Sequence, residues 1–272
     1  MVNIQNPGSA LGEAIGLEME KALNDFLTNL VDSRGYHFLS KSPVQNKDGK
    51  QKKLFMYDKF GTAYNIDAVI ANESLQPIIL IESKYIRYTK HNRDKASWVC
   101  TAHPAVRRRY ESIRSSIAVL AGSWSSSSMT MMKTFDINLF LINFRSICDL
   151  LANQNIAFDW DEKDRLKAID AWSKYSALTD TEKSQIGVQM INIIKSELEK
   201  LVISILDDSL EREIDSVIIE LHSNLGEVKA YEFPSIEKAV EFLNQTEFKQ
   251  IFITSDSITL FDPPPFIDDN IK

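Results

Sequence analysis

Cysteine is nearly missing from this chain of 272 residues: Cys100 and Cys148 lie far apart, without a CxxC or a histidine-rich companion. Neither a zinc site nor a disulfide framework is expected, and Cys148, inside the apolar stretch Ile147–Leu151, reads as core. Histidine is equally sparse, with His37, His91, His103 and His222 scattered and none in a paired ligand spacing. No apolar run approaches the length that crosses a bilayer, and Met1–Gly8 lacks the basic-then-apolar order of a signal peptide. The expectation is a cytoplasmic protein with no membrane partner. The P-loop pattern of two glycines followed by Lys and Ser or Thr is also absent, which argues against a nucleotide cofactor and an ATP-driven motor.

Hydrophobic residues make up 44% and charged residues 25%, so a globular fold with a proper core is expected rather than a disordered or fibrous chain. The net charge of -7 is unevenly distributed. Between Lys84 and Arg114 nine basic residues (Lys84, Arg87, Lys90, Arg93, Lys95, Arg107, Arg108, Arg109, Arg114) face only Asp94 and Glu111. That segment carries +7 and the remainder -14. A basic segment in an acidic chain can concentrate a polyanion on one face while the rest repels it. Tyr85, Tyr88, His91, Trp98 and His103 interleave aromatic groups among these cations, a composition suited to phosphate contacts and base stacking. For Trp98 and Tyr110 core packing is the better reading, and for His91 phosphate contact or plain exposure is a better reading than metal ligation.

Leu11, Ile15, Ala22, Phe26 and Leu30 fall at helical spacing, which predicts a helix over Ser9–Leu30 with Ser9 as N-cap. Glu18 falls beside its apolar face. Beyond a polar loop at Val44–Lys53, the segments Leu54–Tyr57, Ala63–Ala71 and Pro77–Lys84 read as strands. The last is continuously apolar over Ile78–Ile81, as in a central strand covered on both faces. Val106, Tyr110, Ile113, Ile117 and Leu120 predict a second helix over Ala105–Ala121, followed by a loop at Ser125–Ser128 and a strand over Phe135–Phe144. Past Arg145 the chain turns acidic. Helices are expected within Asp161–Asp208, with a capping signal at Thr179–Glu182, then strands at Ser216–Leu221, Val228–Phe233, Gln250–Thr254 and Ser257–Phe261 and a helix at Ser235–Leu243. The expected division is 1–150, carrying the active site and basic segment, and 151–272, a helical and small α/β extension serving dimerisation or DNA recognition.

Fourteen residues separate Asp67 from Glu82-Ser83-Lys84. Alternation along a strand puts Glu82 and Lys84 on one face with Ser83 turned away, and an antiparallel neighbour can bring Asp67 to the same spot. Two carboxylates, helped by the Ser83 carbonyl, make a site for Mg²⁺, and Lys84 beside them can orient a water or stabilise hydroxide. Phosphodiester hydrolysis is the natural chemistry.

These residues resemble the PD-(D/E)xK nuclease superfamily, with Ile66-Asp67 in place of the nominal Pro-Asp and Glu82-Ser83-Lys84 matching the second motif. The resemblance covers roughly the first half of the chain. It implies an α/β (α+β) fold whose core runs helix, three strands, helix, strand, with a mixed central sheet flanked by helices. It further implies that Asp67 and Glu82 hold the metal, that Lys84 assists the nucleophile, and that a first-helix carboxylate, here Glu18, can join them. Among members of this length the chain looks most like a type II restriction endonuclease, cutting double-stranded DNA at a palindromic site as a homodimer. A structure-specific repair nuclease and a non-catalytic DNA-binding module are the alternatives.

Overall fold

The computed structural model describes residues 6–41, 53–161, 163–248 and 251–252. They divide into two compact units, 1–207 and 208–272.

The first unit begins with helix α1 (Pro7–Asp32). Its N-cap is Asn6, whose side chain accepts the Ser9 N–H at 3.2 Å, and Pro7 opens the first turn. The cap therefore lies upstream of Ser9, because Pro7 lacks the N–H that a first-turn residue would leave unpaired. Leu11, Ile15, Met19, Leu23 and Leu27 are its fully covered stripe. A five-stranded sheet follows, made of β1 (His37–Leu39), β4 (Ala68–Ala71), β5 (Pro77–Ile86), β6 (Ser115–Gly122) and β7 (Ile137–Asn143) in spatial order β1-β4-β5-β6-β7. β1, β4 and β5 pair antiparallel, whereas β5, β6 and β7 pair parallel. The fold is thus mixed α/β with a mixed central sheet.

Three sequence expectations change here. The run Ala63–Ala71 is not one strand. It is interrupted at Ile66-Asp67, and β3 (Ala63–Asn65) pairs with β2 (Phe55–Tyr57) as a separate hairpin. The helix expected over Ala105–Ala121 is the end of one element and the whole of another. Helix α2 (Asn92–Arg107) carries Pro104 in its last turns, and 115–122 is strand β6. Every residue of β6 is buried, since it lies between two parallel neighbours and under helices on both faces. Ile117, Val119 and Ala121 join one core cluster, Ala118 and Leu120 another. With both faces apolar the period of two is hidden, and a spurious helical period shows through. Finally, the run Ser125–Ser128, expected as a loop, caps and opens helix α3 (Ser126–Lys133).

α1 covers one face of the sheet together with α4 (Phe144–Ala152), α5 (Arg165–Ala177) and α6 (Asp180–Leu206), while α2 and α3 cover the other. α6 starts with the capping box that Thr179 and Glu182 announce, and Ile186, Met190, Ile194, Leu198 and Val202 turn inwards against α1. At Gly187 the helices approach so closely that a built Cβ would sit 2.2 Å from the Glu18 carbonyl oxygen. Because α5 and α6 complete the core over α1, the first unit runs to Asp207 and not to residue 150.

The second unit is a hairpin of β8 (Val217–His222) and β9 (Val228–Phe233) with helix α7 (Ile236–Gln245) packed on it. Phe242 of α7 meets Tyr231 at 4.7 Å and Phe233 at 5.0 Å between ring centroids. The loop expected at 44–53 and the strands expected at 250–254 and 257–261 lie outside the described residues, apart from Lys53, Ile251 and Phe252.

Candidate active site

Asp67 sits at the bend between β3 and β4, where the chain leaves the hairpin and enters the central sheet. The pairing Ala68↔Ile81 is the last of the β4–β5 ladder, so Asp67 stands next to Glu82 at the point where the two strands part. The buried Ile66 pins this bend into the cluster formed by Leu80, Ala102 and Val106. On β5 the side chains of Leu80, Glu82, Lys84 and Ile86 alternate toward α2, while Tyr85 lies against Gly12 and Gly16 of α1.

The three residues singled out in the sequence meet. Lys84 Nζ lies 2.7 Å from Asp67 Oδ2 and 2.6 Å from Glu82 Oε1, and Asp67 Oδ2 also accepts the Ser83 N–H at 3.0 Å. The Lys84–Glu82 contact is an ion pair not aligned as a hydrogen bond, leaving Oε1 without a formal donor. Glu82 is 1% exposed, against 19% for Lys84 and 24% for Asp67, so the site is a buried carboxylate behind a half-open pair.

Burial pushes the Glu82 carboxyl up, but His103 and then Lys84 outweigh it, and its pKa ends below the ordinary value. Burial likewise pulls Lys84 down, and the charges of Glu82 and Asp67 outweigh it, leaving its pKa raised. Glu82 and Lys84 are thereby both held in their charged forms at neutral pH.

His103, read in the sequence only as one of the aromatic groups among the cations, is a buried neighbour of this site. It is 1% exposed, with Nε2 3.6 Å from Glu82 Oε2, a separation too long for a hydrogen bond, and neither ring nitrogen has a hydrogen-bond partner. Its nearness is the largest influence lowering the Glu82 pKa. The signal lay in helical phase, since Ala96, Val99, His103 and Val106 share one face of α2 once that helix is placed at Asn92–Arg107.

On α1, Glu20 lines a recess together with Ser83, and Glu18 does not line it. Glu18 pairs with Lys21 at 2.7 Å and lies against Gly187 of α6. Glu20 is an exposed residue whose carboxyl is nonetheless raised in pKa, first by partial burial and next by the Asp67 charge, with Lys84 and Lys41 opposing.

The basic residues divide. Arg87 is buried, stacks on Trp160 at 3.7 Å and Phe158 at 4.4 Å, and donates Nη2 to the carbonyls of both. Arg114 donates to the Ile205 carbonyl at 2.8 Å near the end of α6, and Arg109 to the Asp58 carbonyl at 2.9 Å. These arginines hold parts of the fold together, which corrects the expectation that Arg87 and Arg114 contact DNA. Lys90, Arg93 and Lys95 are exposed around the first turn of α2, and half-buried Arg107 and exposed Arg108 mark its other end. His91 belongs to the short 3₁₀ turn Thr89–His91 before α2, and its side chain lies outside the described part. Trp98, expected in the core, is 41% exposed, packs on Tyr64 at 5.9 Å, and lines a recess with Lys84, Asp94 and Lys95.

Two carboxylates converging on one point are hard oxygen donors of the kind Mg²⁺ takes. Asp67 Oδ1 accepts no hydrogen bond among the described residues, and the backbone N–H of Ser83 already faces Asp67. In a strand the carbonyl of the same residue points to the same side, so the Ser83 carbonyl is directed to the gap that β4 leaves. Among the described residues no group of three or more His, Cys, Asp or Glu is arranged to hold a metal, so water must complete any such sphere. Also among them, no helix is long and apolar enough to cross a membrane.

No protein family matches the chain, and no curated protein matches it. Among solved structures, a protein of unknown function is similar at 7% identity over 67% of this chain and 99% of that chain, with a TM-score of 0.31. A likeness of that order carries no argument about fold or function.

Proposed function

We propose that the protein is a Mg²⁺-dependent endonuclease of the PD-(D/E)xK kind that hydrolyses phosphodiester bonds of double-stranded DNA. The observation that carries this reading is the meeting of Asp67, Glu82 and Lys84 at the parting of β4 and β5, with the buried Glu82 kept ionised. Asp67, Glu82 and the Ser83 carbonyl would hold the ion. When bound, it supplies Lewis-acid polarisation of the phosphate and balances charge developing in the transition state. Lys84, already cationic and held in place by both carboxylates, would orient the attacking water. His103 lies behind Glu82, and Lys95 and Trp98 border the approach on the α2 side.

Within that class the finer reading is a type II restriction endonuclease, a homodimer placing one site on each strand of a palindrome. It rests on resemblance rather than on geometry.

Incubation with supercoiled plasmid and bacteriophage DNA, in Mg²⁺ and in EDTA, tests both levels against Asp67→Asn and Glu82→Gln. Discrete fragments in Mg²⁺ alone, lost in both variants while metal-free DNA binding persists, are the expected result. A smear would remove the restriction reading and keep the nuclease. Intact DNA, or full activity in either variant, would overturn the assignment of the site.

A further inference from the structure

The hairpin β2–β3 exposes an aromatic side chain that the packing of the fold does not use. Its inner face does the structural work: Met56 is buried, and Tyr64, opposite it in the ladder, packs on the same cluster against α2. The tip is stiff. Asp58, itself buried, accepts the N–H of Phe60 at 2.8 Å and of Thr62 at 2.9 Å on one carboxylate oxygen. Its backbone N–H bonds the Thr62 carbonyl at 3.1 Å, and its own carbonyl accepts from Gly61 at 3.1 Å and from Arg109 at 2.9 Å. Gly61 takes the left-handed conformation, φ +88°, that closes such a turn. Yet the side chain at the head of this braced turn, Phe60, is 83% exposed, and Phe55 and Tyr57 on the outer face are exposed as well.

The groups around it are cationic. Lys59 Nζ lies 5.0 Å from the Phe60 ring, Arg109 lies 5.9 Å from the Tyr57 ring, and exposed Arg108 is next in the chain. The one acid of the tip, Asp58, is turned inward by its own hydrogen bonds. A braced apolar ring beside positive charge is complementary to a polyanion that carries flat apolar faces between its charges, which is stacked nucleic acid. Phe60 is seven residues from Asp67. A chain of that length spans at most roughly 25 Å, or about seven base steps.

We propose that Phe60 is a wedge that enters the base stack of DNA bound at the candidate site, with Lys59 and Arg108 on flanking phosphates. The proposal rests on the nuclease reading, and it adds how the duplex is gripped and deformed near the cut.

The test uses the full chain as Asp67→Asn, without metal, to prevent cleavage. A short duplex is selected from a random-sequence pool by retention on this protein and then resynthesised with 2-aminopurine at successive positions. A wedge unstacks its neighbour, so binding should brighten the probe several-fold at one or two adjacent steps. Adding Phe60→Ala should abolish the brightening and weaken binding roughly tenfold or more, whereas Phe60→Trp should retain both. Because Phe60 is exposed, none of these changes should disturb folding, which circular dichroism checks. Retention of DNA with no brightening, or with equal brightening in Phe60→Ala, would overturn the wedge and leave the nuclease standing. No retention of any duplex would remove the wedge together with the DNA-cutting function on which it depends.

Discussion

Lys84 carries one positive charge shared between two carboxylates, and Glu82 has almost no water to turn to when that charge is taken away. Glu82 has a lowered pKa in the folded protein, so it supports folding above the ordinary carboxylate value and loses that support as pH falls through the lowered one. Lys84 has a raised pKa, so its support is complete below the ordinary lysine value and disappears as pH rises through the raised one. At neutral pH both contributions are present. Lys84→Met should therefore cost about 3–5 kcal/mol there, because it strands a buried carboxylate. Urea titration should show the deficit shrinking in mild acid, where Glu82 takes up a proton, and shrinking also when Glu82→Gln is added; an equal deficit at both pH values would show that the pair is not coupled to folding. Glu82 and Lys84 were legible in the sequence because strand alternation is local, so they share a face whatever surrounds them, and Asp67 was placed beside them by the antiparallel pairing expected of its neighbour. Glu20 and His103 were not, since a helix residue's partner depends on where another element crosses it. The choice of Glu18 failed for that reason, as its side of α1 is taken by α6.

Elements show the same division between local and non-local causes. The first helix, the central strand β5, the capped helix α6 and the β8–β9–α7 unit follow from periodicity and end signals that the sequence carries on its surface. What failed was β6, whose alternation is erased by burial on both faces, and the extended run through Ile66-Asp67, where the chain leaves one sheet for another with no glycine or proline to announce it. The contact between α1 and α6 belongs to this non-local class and makes its own forecast. Gly187→Ala places a methyl group 2.2 Å from the Glu18 carbonyl oxygen and 2.6 Å from its carbonyl carbon, which are backbone atoms with little freedom to yield. The helices must separate, and the loss of stability should be about 3 kcal/mol, at the upper end for an overpacked core. A chemical denaturation midpoint unchanged from wild type would mean that the pair of helices adjusts without strain.

For the whole molecule, the core of the first unit is closed by its own residues, with the Tyr36 hydroxyl donating to the Leu206 carbonyl and Arg114 to that of Ile205. A chain ending at Asp207 should consequently unfold in a single cooperative transition and keep the divalent-metal-dependent cleavage proposed for the full chain. Thermal melting and the plasmid assay check this, and a broad melt or a lost activity would assign the second unit a part in the first unit's stability or chemistry. The position of Lys84 carries one more consequence at this scale. An ammonium lodged between two carboxylates is a resident counter-ion, so the site can assemble during folding without waiting for a ligand to neutralise it. Its geometry is then set within the polypeptide itself, with one of its two negative charges balanced before any cation arrives.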